Sequence, residues 1–242
     1  MKEEKTKNYL QEALRTPLDR KKFLKYTAMG GGALFLGLGL QSCHKDNNNG
    51  SSSGATIDVG AGDPGILNFA YALEQLEAAF YIKVNASFYT NATDAEKAIL
   101  SDIMNHEIAH RDFFKAALGS SAIATLKFDF SSVDFTSRAS VLGTAKALED
   151  TGVSAYNGAG QYISSPDYLT LAGKIVSVEA RHAAAIRDLL NPKSADFAGD
   201  DVVSSSTGLD FSRTPNSTSG GPSIVATANT FLTTKISATK LP

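Results

Sequence analysis

The chain has 242 residues, 43% hydrophobic and 20% charged, which suits one globular domain with a sizeable core plus tails. Its net charge of -2 hides an asymmetry: residues 1–42 hold eight Lys/Arg and four Asp/Glu, and the remainder carries a net of -6. An acidic body argues against nucleic acid as a partner, because phosphate binding needs clustered Lys and Arg. A single Cys excludes an intramolecular disulfide.

Residues 1–25 are polar and end in the basic run Arg20-Lys21-Lys22-Phe23-Leu24-Lys25. The apolar, Gly-rich stretch from Thr27 to Leu40 is too short for a transmembrane helix and has the form of a signal-peptide core. Arg20-Lys21-x-Phe23-Leu24-Lys25 resembles the twin-arginine export motif with Lys in place of the second Arg, so Tat and Sec export both stay open. Leu40-Gln41-Ser42-Cys43 resembles a bacterial lipobox, which implies cleavage before Cys43 and lipid on its sulfur. Lys45-Asp46 just beyond it resembles the surface-export signal of Bacteroidetes lipoproteins. The expectation is a signal peptide over 1–42 and an envelope protein anchored through Cys43, in the outer membrane or at the cell surface. Residues 43–63, polar and rich in Asn, Ser and Gly, then form a flexible tether.

Four helices follow over 64–191. The first is expected from Pro64 to Phe88, with Leu67, Ala70, Tyr71, Ala78 and Tyr81 on the face that carries Glu74. The second runs from Thr93, where Thr93-Asp94-Ala95-Glu96 is a capping-box start, to Leu118, with Gly119 as its stop. Residues 119–135 read as a long extended crossover. The third helix spans Thr136 to Gly160. The fourth opens at Ser165-Pro166, a cap followed by Pro at the first helical position, and ends before Asn191-Pro192. Residues 192–242 read as an irregular C-terminal extension with one short helix near Ile224–Phe231. The fold class is all-α: a four-helix bundle with a long helix 2–3 crossover and an irregular tail.

Two motifs carry the chemistry. Glu107-Ile108-Ala109-His110 and Glu179-Ala180-Arg181-His182 are both Glu-x-x-His within helical spacing, and positions i and i+3 share one helix face. Each is preceded by a matching segment. Ala72-Leu73-Glu74 and Ala147-Leu148-Glu149 both place a Tyr, Tyr81 or Tyr156, seven residues after the Glu. The chain therefore reads as one helical hairpin written twice, each copy supplying a single Glu and then Glu-x-x-His. Ionised carboxylates in apolar stripes cost several kcal/mol or more unless paired or bound to metal, on the order expected for buried ions. The metal-ligand set is thus Glu74, Glu107, His110, Glu149, Glu179 and His182. Glu77, one turn beyond Glu74, competes with it, but its repeat counterpart is Gly152. Tyr81 and Tyr156 read equally as donors to the carboxylates, as an electron relay or as core aromatics. His106 reads as a surface residue, and Asp112 and Arg181 as exposed ion-pairing groups.

These residues resemble the ferritin-like superfamily. Leu73-Glu74-x-x-Glu77-Ala78-Ala79-Phe80-Tyr81, Glu107-x-x-His110 and Val178-Glu179-Ala180-Arg181-His182 look like the motifs of its branch of bacterial exported ferritin-like proteins and plant desiccation-related proteins. The resemblance implies a ferritin-like bundle with a centre of two iron ions, or manganese, reacting with dioxygen or peroxide. Glu107 and Glu179 would bridge, with Glu74 and His110 on one ion and Glu149 and His182 on the other. Absence of thiolates argues against a tight zinc or copper(I) site. The expected function is an exported di-metal oxidoreductase, a ferroxidase or a peroxide- or dioxygen-reducing protein, with a homodimer as the candidate assembly. The alternative is a non-enzymatic, lipid-anchored scaffold or binding module for stress or desiccation.

Overall fold

The computed structural model describes residues 56–199, 214–216, 218 and 222–242. The expected leader, Cys43 and the first part of the tether lie outside them. Four long helices dominate: α1 (Gly62–Ala86), α2 (Asp94–Leu118), α3 (Arg138–Gly160) and α4 (Pro166–Leu190). A short α5 (Ile224–Thr230) follows, with strands β1 (Ile57–Asp58) and β2 (Ile236–Ser237). Short loops make α1–α2 and α3–α4 antiparallel hairpins, and α1 also packs on α3 and α4 on α2.

The starts of three helices follow their caps. Thr93 accepts from the Glu96 amide while the Glu96 carboxylate takes the Thr93 amide, a closed capping box. Ser137 and Ser165 accept from the amides of Ser140 and Tyr168. At the end of α2, Gly119 takes φ 55 and returns its amide to Lys115, a conformation that favours glycine. The first helix begins two residues earlier than expected, at Gly62, with no side-chain cap. Asp63 serves elsewhere, accepting the amides of Ser164 and Ser165 at 2.8 and 2.9 Å and so fixing the α3–α4 loop.

The crossover after α2 does not stand off as a loop. It is laid along α1 by two buried polar side chains seven residues apart. Asn68 donates to Ser121 O and accepts from Ile123 N, and Gln75 accepts from Leu126 N, all at 2.9 Å. Phe130 and Phe135 then pack on Phe80. This cover is why α1 is buried on nearly every face.

The C-terminal extension is more structured than its composition suggests. Phe128 bridges antiparallel to Leu232, and β2 pairs parallel with β1 in the register Ile57↔Ile236. Ile224, Leu232, Ile236 and Leu241 are buried in the main core, as is Val59 from the stretch read as tether. Among the described residues no helix is long and apolar enough to cross a membrane.

Candidate metal centre

Each helix of the bundle delivers one glutamate to its middle. Glu74 comes from α1, Glu107 from α2, Glu149 from α3 and Glu179 from α4; none is more than 1% exposed. One turn on from the second and fourth of these lie His110 and His182, on the same faces. The structure thus brings all six residues singled out by the motifs and the repeat into one cluster.

The donors fall into two groups. Glu74, Glu107, His110 and Glu179 each place an atom within 4.8 Å of the others, and so do Glu107, Glu149, Glu179 and His182. Glu107 and Glu179 belong to both. Each imidazole presents Nδ1 to the carboxylates. His110 Nδ1 is 2.8 Å from Glu179, 3.4 Å from Glu74 and 3.6 Å from Glu107. His182 Nδ1 is 2.7 Å from Glu107, 3.2 Å from Glu179 and 3.6 Å from Glu149. Each histidine is therefore nearest to the shared glutamate of the opposite hairpin.

The two tyrosines cross over in the same way. Tyr81 of α1 donates to Glu149 Oε1 of α3 at 2.6 Å, and Tyr156 of α3 donates to Glu74 Oε1 of α1. Of the readings open for them, donation to the carboxylates is the one the geometry shows. Burial, together with the glutamate each one touches, pushes both phenols well above their ordinary range, so they remain donors. Glu74 and Glu149 are thereby held by one oxygen, and the other oxygen of each, Oε2, lies buried with no hydrogen-bond partner.

That pattern is the test of fit for a metal. Both oxygens of Glu107, Glu179 Oε1 and His110 Nδ1 are also buried without a hydrogen-bond partner. His110 and Glu179 approach to 2.8 Å without a hydrogen bond between them, so proximity alone does not satisfy these atoms. A cation among them would. Two divalent ions would also balance the four carboxylates in charge, with both imidazoles neutral. The donor set, carboxylate oxygen and imidazole nitrogen without thiolate, suits iron or manganese.

Protons stand in for that charge in the protein alone. Burial, then Glu179, raises Glu74 well above the carboxylate range. Burial raises Glu149 to about 8. Glu107 goes the other way: burial opposes ionisation, but the neighbouring His110 and His182 hold it down to about 2. Burial would lower both histidines, yet the surrounding carboxylates raise His182 to about 12 and hold His110 far above neutrality.

Glu77 is 3% exposed and points toward the cluster, but none of its oxygens joins either donor group. Burial, then Glu107, raises it well above the carboxylate range. Gly152 makes its room, since a Cβ there would meet Glu77 Oε1 at 3.0 Å. The gap in the repeat thus has a steric meaning.

His106 is exposed, as expected, but it is not free of the site. Its Nδ1 lies 2.8 Å from His182 Nε2 and the rings stack at 5.1 Å. Adjacency to Glu107 concealed this; the i, i+4 spacing to His110 was the signal available. Sequence reasoning also missed Arg187, 3% exposed, which grips Asp150 through Nε and Nη2 at 2.9 and 2.7 Å and so ties α4 to α3 beside Glu149. Asp112 pairs with its neighbour Arg111 at the surface, and Arg181 is exposed.

Comparison with functionally curated proteins finds no match. A family model does match: the ferritin-like domain, over residues 62–192. That span begins at the first residue of α1 and closes two residues after α4, so it takes in both hairpins and every donor described above. The chain belongs to the ferritin-like domain family.

Proposed function

We propose that this chain is an exported di-iron carboxylate protein that oxidises Fe(II) with dioxygen, or reduces peroxide, under metal or oxidative stress. The observation that carries the reading is the pair of donor groups sharing Glu107 and Glu179. On it, Glu107 and Glu179 would be shared by two ions, Glu74 and His110 would serve one, and Glu149 and His182 would serve the other. When bound, the metals supply one-electron redox chemistry and open positions for a small oxidant. The chain's own residues do the rest. Tyr81 and Tyr156 aim the two terminal carboxylates. The buried belt excludes water, and Glu77 lies buried beside the cluster.

Export and anchoring rest on the basic run, the apolar stretch and the sole Cys43, with anchoring in the bacterial envelope. Metabolic labelling with a radioactive fatty acid tests the anchor: label lost in Cys43→Ala supports it, and label retained removes it.

The central experiment is anaerobic Fe(II) titration of the purified protein, followed by admission of oxygen. Two irons per chain and rapid formation of Fe(III), both lost in Glu107→Ala and Glu179→Ala, are expected. No iron uptake by the wild type, with the fold unchanged by Glu107→Ala, would leave the non-catalytic envelope scaffold as the better account.

A further inference from the structure

The duplicated hairpin is packed differently at its two ends, and the difference falls on three repeat positions. Aligning Glu74 with Glu149 pairs Phe80 with Ala155 and Val84 with Ala159; aligning Glu107 with Glu179 pairs Leu100 with Ala172. At the Tyr81 end Phe80, Val84 and Leu100 are at most 1% exposed and fill the core. At the Tyr156 end the three alanines line a cavity of about 30 Å³ instead. Large-to-small differences in a packed core leave such voids. At the Tyr81 end the larger counterparts are buried in the core instead.

Its position and walls specify what it takes. Tyr156 and Leu73 form its inner end, and the Tyr156 hydroxyl is turned away to Glu74. Phe113, 37% exposed, lies at its rim. The remaining walls are carbon. The cavity itself holds roughly two water-sized spheres and its own apolar lining disfavours water, while a more polar pocket of about 290 Å³ adjoins it and shares Tyr156, Gly160, Ile163 and Ala172. A polar peroxide would find no partners there. A small apolar molecule would.

We infer that this cavity is a binding and entry site for dioxygen, opening at one end of the bundle and ending one tyrosine away from Glu74. Residence of the gas stands on the cavity alone; its consumption at the centre rests on the di-metal reading above.

The metal-free protein is measured by NMR under oxygen pressure, reading the relaxation of methyl groups by the paramagnetic gas. Leu73 and Leu67 methyls are expected to relax severalfold faster than Leu142 and Ile186 methyls at the packed end. Ala172→Leu and Ala159→Val, each restoring the residue of the other repeat, are expected to remove that excess. In iron-loaded protein the same variants should raise the KM for dioxygen severalfold and leave peroxide turnover unchanged. Equal relaxation at both ends, or an excess that survives filling, would overturn the site. An oxygen-relaxed cavity in a chain that oxidises no iron would keep the site and remove the oxidase reading.

Discussion

Glu74 and Glu149 are each held by a tyrosine from across the bundle, which leaves one oxygen of each free to face an imidazole. Removing the donor should loosen the free oxygen as well. Tyr156→Phe is expected to weaken metal binding at the Glu74–His110 position about tenfold or more and to spare the other, as loss of such supporting bonds does elsewhere. Manganese titration followed by electron paramagnetic resonance separates the two positions. His106 has a related role. For His182 to present a bare Nδ1 to a metal, its Nε2 must carry the proton and donate it to an acceptor. Burial, then the His182 and His110 charges, keeps His106 below the usual histidine range and so neutral, able to accept. His106→Ala should lower affinity at the His182 position roughly tenfold, and His106→Gln should recover part of it; the cobalt(II) visible spectrum reports both. The Glu-x-x-His spacing and the repeat already named six of these residues. The tyrosine crossing and the His106 stack were not legible, because each joins segments more than 60 residues apart.

At the scale of elements, helix starts were readable at the caps Thr93 and Ser165, whereas α1 and α3 each start two residues from the expected Pro64 and Thr136, α1 where Asp63 binds another segment's backbone and α3 at its own cap, Ser137. Glu96 does both. It closes the box with Thr93 and receives Arg138 Nε at 2.7 Å, while Arg138 Nη2 reaches Leu189 O at 2.6 Å. One carboxylate thus joins the start of α2 to the start of α3 and the end of α4. Thr93→Ala is expected to cost about 1 kcal/mol, the usual value of such a cap. For Glu96 the sign of the pH effect is fixed. Against the cost of burial, the Thr93 amide and Arg138 hold it down to about 2, below its unfolded value near 4.5. Its stabilisation is present above pH 4.5 and lost as pH falls toward 2. The stability gap between wild type and Glu96→Gln should therefore narrow from pH 7 to pH 3 in urea melts. The crossover's path was hidden for a different reason. Asn68 and Gln75 look like ordinary polar residues until the backbone they bind is brought alongside α1.

Across the whole molecule, a belt of five buried glutamates and two histidines divides two apolar regions, and on the di-metal reading metal and proton compete for it. Without metal, Glu149 at about 8 lies above its unfolded value, so it penalises folding increasingly as pH rises from 4.5 to 8. His182, raised to about 12, stabilises fully below pH 6.5 and loses that contribution as pH rises toward 12. Both effects lower metal-free stability on the alkaline side. Metal binding runs the opposite way, because it must displace those protons. Thermal melts with and without chelator should thus diverge from pH 6 to pH 8. At metal a thousandfold above its dissociation constant, one site adds about 4 kcal/mol, on the order of 10 °C for a chain this size. Calorimetry in buffers of different ionisation enthalpy should show proton release near pH 7.

The sequence by itself determined the four helices, their pairing into two like hairpins and the identity of the six clustered ligand candidates. All of these are periodic or local: helical spacing, capping residues and an i, i+3 pair survive in one dimension. The tertiary structure decided what depends on packing between hairpins. It assigned Glu107 and Glu179 to both donor groups, turned Glu77 into a buried acid opposite Gly152, and drew His106 against His182. It also built the C-terminal extension into the core through β1 and β2, where short polar-rich segments carry no period to read. The cavity at the Tyr156 end belongs to both levels. The alanines are visible in the repeat, and the space they leave exists only once four helices close around it.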